Sequence, residues 1–188
     1  MLEQEVNKAA ENILNGGTLL YPTDTIWGLG CDATNEKAVQ EIFRMKQRPD
    51  QKSMLVLVNN EEMLSRYLEE LPEAALELIR NIEKPTTIIY PGARRLARNL
   101  VAEDGSIGIR LCRDPFCRML LDRSQVPLVS TSANLSGDPP PENFRAINPI
   151  LKNEVDQVVE WRQHEEGGAA ASSVIKLEKD GTITVLRS

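Results

Sequence analysis

The sequence predicts a single α/β domain spanning residues 1–188, built on a twisted mixed β-sheet flanked by helices. Three observations carry that prediction. The length suits one well-buried core and is short for two. Apolar runs of strand length alternate with amphipathic helical stretches early in the chain, and strand-like runs gather late. No internal repeat, heptad or low-complexity tract interrupts the pattern.

The elements follow in order. Leu2 to Leu14 places Leu2, Val6, Ala9, Ala10, Ile13 and Leu14 near one helical face, and Gly16-Gly17 stops it. Thr18 to Tyr21 reads as a buried strand. Pro22 then opens a polar, Gly-rich turn containing Thr23, Asp24, Thr25, Gly28 and Gly30. Asp32 to Asn35 supply capping side chains for a helix through Val39, Ile42, Phe43 and Lys46. That helix runs out at Lys46-Gln47-Arg48-Pro49, and a strand, Met54 to Val58, follows at once. Lys46, Arg48 and Lys52 therefore gather at a helix-to-strand junction. Asn59-Asn60 starts a short helix to Leu68, and Pro72 opens the first turn of another to Ile82.

Thr86 to Tyr90 is β-rich and closed by Pro91-Gly92. Ser106 to Leu111 is a further strand, and Asp114-Pro115 caps a helix to Leu121. Pro127 to Ser130 is a short strand opening into a second hydroxyl-rich loop, STSANLSGDPPPEN. Asn143 to Lys152 reads as helix and Gln157 to Trp161 as strand. Gly167 to Ala171 reads equally as a flap or a linker. Ser172 to Leu177 and Thr182 to Leu186 form a hairpin around Lys179-Asp180-Gly181.

A strand, a Gly-rich polar turn, a helix and a cation cluster are what an anionic ligand requires. Glycines admit close backbone approach, hydroxyls donate, and cations neutralise phosphate or carboxylate. The same pieces also read as a capped turn and as cations complementing a helix C-terminus. Gly28 and Gly30 lack the third glycine of a dinucleotide fingerprint, and no GxxxxGK[ST] loop occurs. Two polar loops, each leaving an apolar strand, point to one pocket at the strand ends.

The net charge of −6 weighs against nonspecific nucleic-acid binding as the main activity. Arg94, Arg95, Arg98, Arg110, Arg113 and Arg118 are clustered in sequence, and a solvated face accounts for most of them. The three cysteines, Cys31, Cys112 and Cys117, form no CxxC and read as reduced structural thiols. The sole histidine, His164, sits in HEEGG and leaves little room for a metal centre or a Ser-His-Asp triad. No apolar run of membrane length and no signal-like amino terminus are present, so a cytoplasmic protein with no membrane partner is expected.

PTDTIWGLG, then KQRP, then STSANLSGDPP and a late Ser172-Ser173 pair resemble, in order, the motifs of the YrdC/TsaC family of threonylcarbamoyl-AMP synthases. The resemblance covers nearly the whole chain. It implies a YrdC/RibB-like fold with a concave cationic cavity. It also implies a reaction joining L-threonine, bicarbonate and ATP into threonylcarbamoyl-adenylate with release of pyrophosphate. That adenylate would feed the downstream t6A transferase machinery acting on tRNA.

By the same resemblance Lys46 and Arg48 are the catalytic cations. Thr25, Ser132 and Ser173 would contact threonine or its carbamoyl group, and Asn134 and Arg187 the nucleotide. Lys52, Thr87, Arg110, Glu142 and Ser172 complete the substrate-binding set, with no metal ligand in the chain. Mg²⁺ would accompany ATP, and no tightly bound organic cofactor is implied. On this view Lys46→Ala or Arg48→Ala abolishes most turnover while the fold survives.

The chain departs from the family's W-P-G-P-x-T signature at Ile82 to Thr87, keeping Pro85 and Thr87, and has Lys176 where an acidic residue is usual. Two alternatives remain open from the residues: a double-stranded RNA or tRNA-binding module of the same fold, and a YciO-like paralogue with altered activity.

Overall fold

Val6, Ala9, Ala10 and Ile13 recur at helical spacing and are all buried in α1, Leu2–Leu14, which packs against α5, Pro115–Ser124. The structure, a computed structural model, describes residues 1–47, 54–167 and 170–188. Between these two helices in sequence lie α2 (Glu36–Met45), α3 (Glu61–Arg66) and α4 (Glu73–Asn81), and α6 (Pro149–Glu154) follows. Asn35, Asn60, Asp114 and Asn148 each cap a helix by accepting backbone N–H bonds at its first turn. Pro115 and Pro149 take the first-turn position that needs no donor, whereas Pro72 stands one residue earlier, as the cap of α4.

The strands are β1 (Leu19–Tyr21), β2 (Gly28–Gly30), β3 (Leu55–Val58), β4 (Thr86–Tyr90), β5 (Ile107–Leu111), β6 (Leu128–Ser132), β7 (Gln157–Val158), β8 (Ser173–Leu177) and β9 (Ile183–Arg187). Among the described residues they form one nine-stranded sheet in the order β7-β1-β2-β6-β3-β5-β4-β8-β9. The sheet is mixed. β3 with β5, β4 with β8 and β1 with β7 run parallel, and β2 is antiparallel to both β1 and β6. The core includes residues from every helix, and it takes in all three cysteines. Burial pushes the Cys31 and Cys117 thiols up, so both stay protonated. At one edge, β9 leaves Ile183, Val185 and Leu186 exposed. Among the described residues no helix is long and apolar enough to cross a membrane.

Several sequence expectations change. The Gly-rich stretch is not a turn: Gly28-Leu29-Gly30 is a buried strand paired with Tyr21-Leu20-Leu19. The reason is close packing. A Cβ on Gly30 would stand 2.0 Å from the Val129 carbonyl oxygen and 3.0 Å from the Tyr21 ring, so only glycine lets β2 sit there. The β6 strand runs on to Ser132, taking in residues expected in the loop. The expected helix from Asn143 to Lys152 splits into a single 3₁₀ turn, Phe144–Ala146, and α6, because Pro149 forces Asn148 out of the helical region. The expected strand to Trp161 ends at Val158, and the chain turns at Arg162 with φ 65°. The α5 helix continues past Leu121 to Ser124.

Gly30→Ala is expected to destabilise the fold by about 1–3 kcal/mol, the usual range for overpacking, or more, because the obstacle is backbone rather than a movable side chain. Urea unfolding followed by far-UV circular dichroism measures it.

Candidate functional site

A cavity of about 400 Å³ opens on one face of the sheet, within the size range of small-molecule sites. Strand alternation builds its walls. Thr87 and Ile89 of β4, Gly108 and Arg110 of β5, and Ser172 and Val174 at β8 each stand two residues apart and line it. Ser130 to Ser132 of β6 and Thr25 to Gly28 of the β1–β2 connection complete the wall. The antiparallel pairing of Gly28 with Ser132 brings the two hydroxyl-rich segments side by side.

Six of the sequence-predicted residues meet at this cavity: Thr25, Thr87, Arg110, Ser132, Ser172 and Arg187. Ser173 does not line it. It is the next residue along β8, whose alternation turns it to the other face, and its neighbour Ser172 takes the place expected of it. Glu142 is exposed and borders a separate cavity with Gln163 and His164. Arg48 and Lys52 lie outside the described residues. Ser106 and Ser130, which the sequence reading passed over, also line the cavity. The period-two register with Arg110 and Ser132 is the signal that could have found them.

Lys46 stands apart from the expected phosphate ligand. It is 2% exposed, and its ammonium donates to the carbonyl oxygens of Ser132 at 2.5 Å and Asn134 at 2.7 Å. The lysine therefore holds the backbone of the loop that leaves β6. The Asn134 amide nitrogen donates to the Leu135 and Asp138 carbonyls, curling the same loop, while its Oδ1 is buried with no hydrogen-bond partner among the described residues.

The two lining arginines are held differently. Arg110 is 3% exposed and faces Asp24 Oδ1 at 3.0 Å, and its Nε has no hydrogen-bond partner among the described residues. Arg187 donates Nε and Nη2 to the Ser172 carbonyl at 2.9 and 2.6 Å. The Ser172 hydroxyl lies 2.9 Å from that of Thr87. Among the described lining residues no carboxylate accompanies the two guanidinium groups.

The Thr25 hydroxyl has a defined polarity. Thr23 Oγ1 accepts the Thr25 N–H at 3.0 Å and donates its own proton to the Ile26 carbonyl at 2.8 Å. The Thr25 and Thr23 hydroxyls are 3.0 Å apart, so Thr25 supplies the proton between them. Thr25 Oγ1 thus meets the cavity with lone pairs only and suits a ligand N–H or O–H. Behind this turn lies Asp114, 3% exposed, whose carboxylate accepts from Arg162 Nη1 at 2.6 Å and from the Cys117 N–H at 3.0 Å. Burial pushes the Asp114 carboxyl above its ordinary value, against the pull of those two partners.

Replacing Lys46 with methionine is expected to lower stability as well as turnover, unlike the expectation from sequence. About 1–3 kcal/mol is the usual cost of each buried carbonyl left without its donor. Denaturant unfolding of Lys46→Met beside its kinetics separates the two effects.

Comparison with known proteins places the chain in context. A family model for Sua5, YciO and YrdC proteins, described as "Telomere recombination", matches residues 11–188. A threonylcarbamoyl-AMP synthase of Stenotrophomonas maltophilia is 33% identical over 191 residues, covering 100% of both chains. The synthase of Xanthomonas euvesicatoria is 31% identical, covering 95% of this chain and 96% of its own. Among solved structures, P. abyssi Sua5 complexed with L-threonine superposes with a TM-score of 0.86 at 27% identity, covering 98% of this chain and 54% of that one. This chain therefore spans about half the length of that Sua5. E. coli YciO superposes with a TM-score of 0.85 at 28% identity, covering 100% of this chain and 90% of that one.

Proposed function

This chain belongs to the Sua5/YciO/YrdC family, and on that premise we propose that it is a threonylcarbamoyl-AMP synthase, forming the adenylate and pyrophosphate from L-threonine, bicarbonate and ATP. The observation that carries the reading is the convergence of Thr25, Thr87, Arg110, Ser132, Ser172 and Arg187, from separate parts of the chain, on one cavity. The near end-to-end likeness to curated synthases supports it.

The reaction needs three anionic species held together, since ATP, bicarbonate and the threonine carboxylate repel one another. Fixed guanidinium groups offset that repulsion, and orientation supplies much of the rate. Arg110 and Arg187 do this from the described wall, and the family motif assigns Arg48 to the same task. The threonine amine displaces water from bicarbonate to give the carbamate. A carbamate oxygen then attacks the α-phosphorus and pyrophosphate leaves. Thr25, an acceptor, receives a hydrogen from the amino acid, and the hydroxyls of Ser132, Ser172 and Thr87 bond the remaining polar atoms. Asn134 Oδ1 is assigned to the nucleotide.

Among the described residues no three His, Cys, Asp or Glu side chains are grouped as a metal site, and the lining offers no carboxylate. In this reading Mg²⁺ would arrive with the triphosphate, whose oxygens and water would supply most of its ligands. The product would pass to the t6A machinery in the cytoplasm. The YciO likeness favours one second reading, the same fold with an altered substrate, since E. coli YciO superposes over the whole of this chain.

Pyrophosphate release, assayed with each substrate omitted in turn, tests both. Full dependence on threonine, bicarbonate and ATP is the expected result. The amino-acid order in kcat/KM is expected to be threonine, then serine, then valine. Serine lacks only a methyl, worth about 1–3 kcal/mol, whereas valine leaves buried polar groups unpaired. Release without bicarbonate, or equal rates for valine and threonine, refutes the synthase. In calorimetric titrations Ser132→Ala should weaken threonine binding and Asn134→Ala should weaken ATP binding. Unchanged affinities would remove that loop from the site.

A further inference from the structure

We infer that Asp114 and Arg162 form a clamp on the Pro22–Thr25 turn, and that Arg162 is thereby a positioning residue for threonine, although neither side chain lines the cavity. Three successive residues of the turn are held from outside it. The Pro22 carbonyl accepts from Cys117 Sγ at 3.4 Å, the Thr23 carbonyl from Arg162 Nη1 at 3.4 Å, and Asp24 Oδ2 from the Arg113 N–H at 3.3 Å. Each bond is long and weak alone. What makes them a unit is that every donor sits on, or is fixed to, the start of α5.

Asp114 is the hub. One carboxylate oxygen accepts from Cys117 N–H and caps the helix, and the other takes Arg162 at 2.6 Å. Arg162 is secured from its far side by Glu165, which accepts from Nε at 2.7 Å. Its backbone adopts φ 65°, a conformation that non-glycine residues seldom take unless the surroundings impose it. The guanidinium therefore bridges a helix cap and the turn, with the chain bent to bring it there.

The consequence for the ligand runs through Thr23. Its hydroxyl fixes both the N–H and the hydroxyl of Thr25, so the position of the Thr23 backbone decides which way Thr25 Oγ1 presents its lone pairs. Shifting the turn alters that presentation while leaving Arg187 and Ser172, across the cavity, unmoved. Threonine binding should suffer and ATP binding should not.

The inference rests on the assignment of Thr25 to threonine, so the experiment has two arms. The first needs no ligand. Amide hydrogen exchange on the full chain should show the Thr25 N–H of Arg162→Ala exchanging about tenfold faster, the equilibrium factor that goes with losing one charge-assisted bond. Unchanged protection over residues 22–27 overturns the clamp.

The second arm is kinetic. Arg162→Ala should raise the threonine KM about tenfold on the same scale, with the ATP KM held within about twofold, and Arg162→Lys should recover part of the loss. A parallel rise in both constants, or no rise in either, overturns the positioning role. Asp114→Asn, which keeps the capping acceptor and removes the ion pair, should reproduce both effects and serves if Arg162→Ala does not fold. Thr25→Val run alongside separates the failures. If it leaves the threonine KM unchanged, the assignment of Thr25 fails, while the exchange arm still decides the clamp.

Discussion

The approach of Gly30 to the Val129 carbonyl is the constraint on which the site depends. It lets the β1–β2 hairpin sit flush against β6, and the Tyr21 hydroxyl donates to that same carbonyl at 3.0 Å. With the two segments seated in register, Gly28 falls opposite Ser132, and the polar turn before β2 comes beside the polar end of β6. A side chain at Gly30 would part β2 from β6, and with it the Thr25 turn from Ser130 to Ser132. The glycines of this motif thus serve strand packing, where the sequence suggests a polar turn open to close approach of a ligand.

The three described cations divide their labour. Lys46 is spent on main-chain carbonyls and organises a loop; Arg110 is balanced by Asp24; Arg187 spans the end of β8. A buried cation is tolerated only where acceptors or counter-charges surround it, and Lys46 and Arg110 have them, whereas Arg187 is exposed. This arrangement fixes the polar groups before any ligand arrives. Preorganised groups need no reorientation as charge develops.

Much of this was legible in the sequence. Helical spacing marked α1 and α2 closely, the Asn and Asp caps marked where helices start, and β4, β5 and the β8–β9 hairpin stand where alternation and turn residues put them. Strand edges were less legible, because Gly28 to Gly30 has the composition of a turn and only the tertiary contact of Gly30 with Val129 makes it a strand. For the site, Thr25, Ser132 and Arg187 line one cavity. Of the Ser172-Ser173 pair, both expected at the site, Ser172 lines the cavity, since adjacent residues in a strand face opposite ways and a motif read as a pair cannot tell which is inside. Arg162 carried no signal at all. Its role depends on a left-handed turn and on a carboxylate 48 residues away in the chain.

The three cysteines lie in the core, and burial holds the Cys31 and Cys117 thiols protonated. Nucleophilic attack on a disulfide or an alkylating reagent requires both the thiolate and a path to it, and the native fold withholds the path from all three. Their distribution matters too. Cys31 follows β2, whereas Cys112 and Cys117 flank the start of α5. Covalent labelling of these sulfurs is thus gated by opening of the structure, and a thiol-specific dye would act as an intrinsic stopwatch, reporting separately on the β1–β2 hairpin and on the helix behind the Pro22–Thr25 turn.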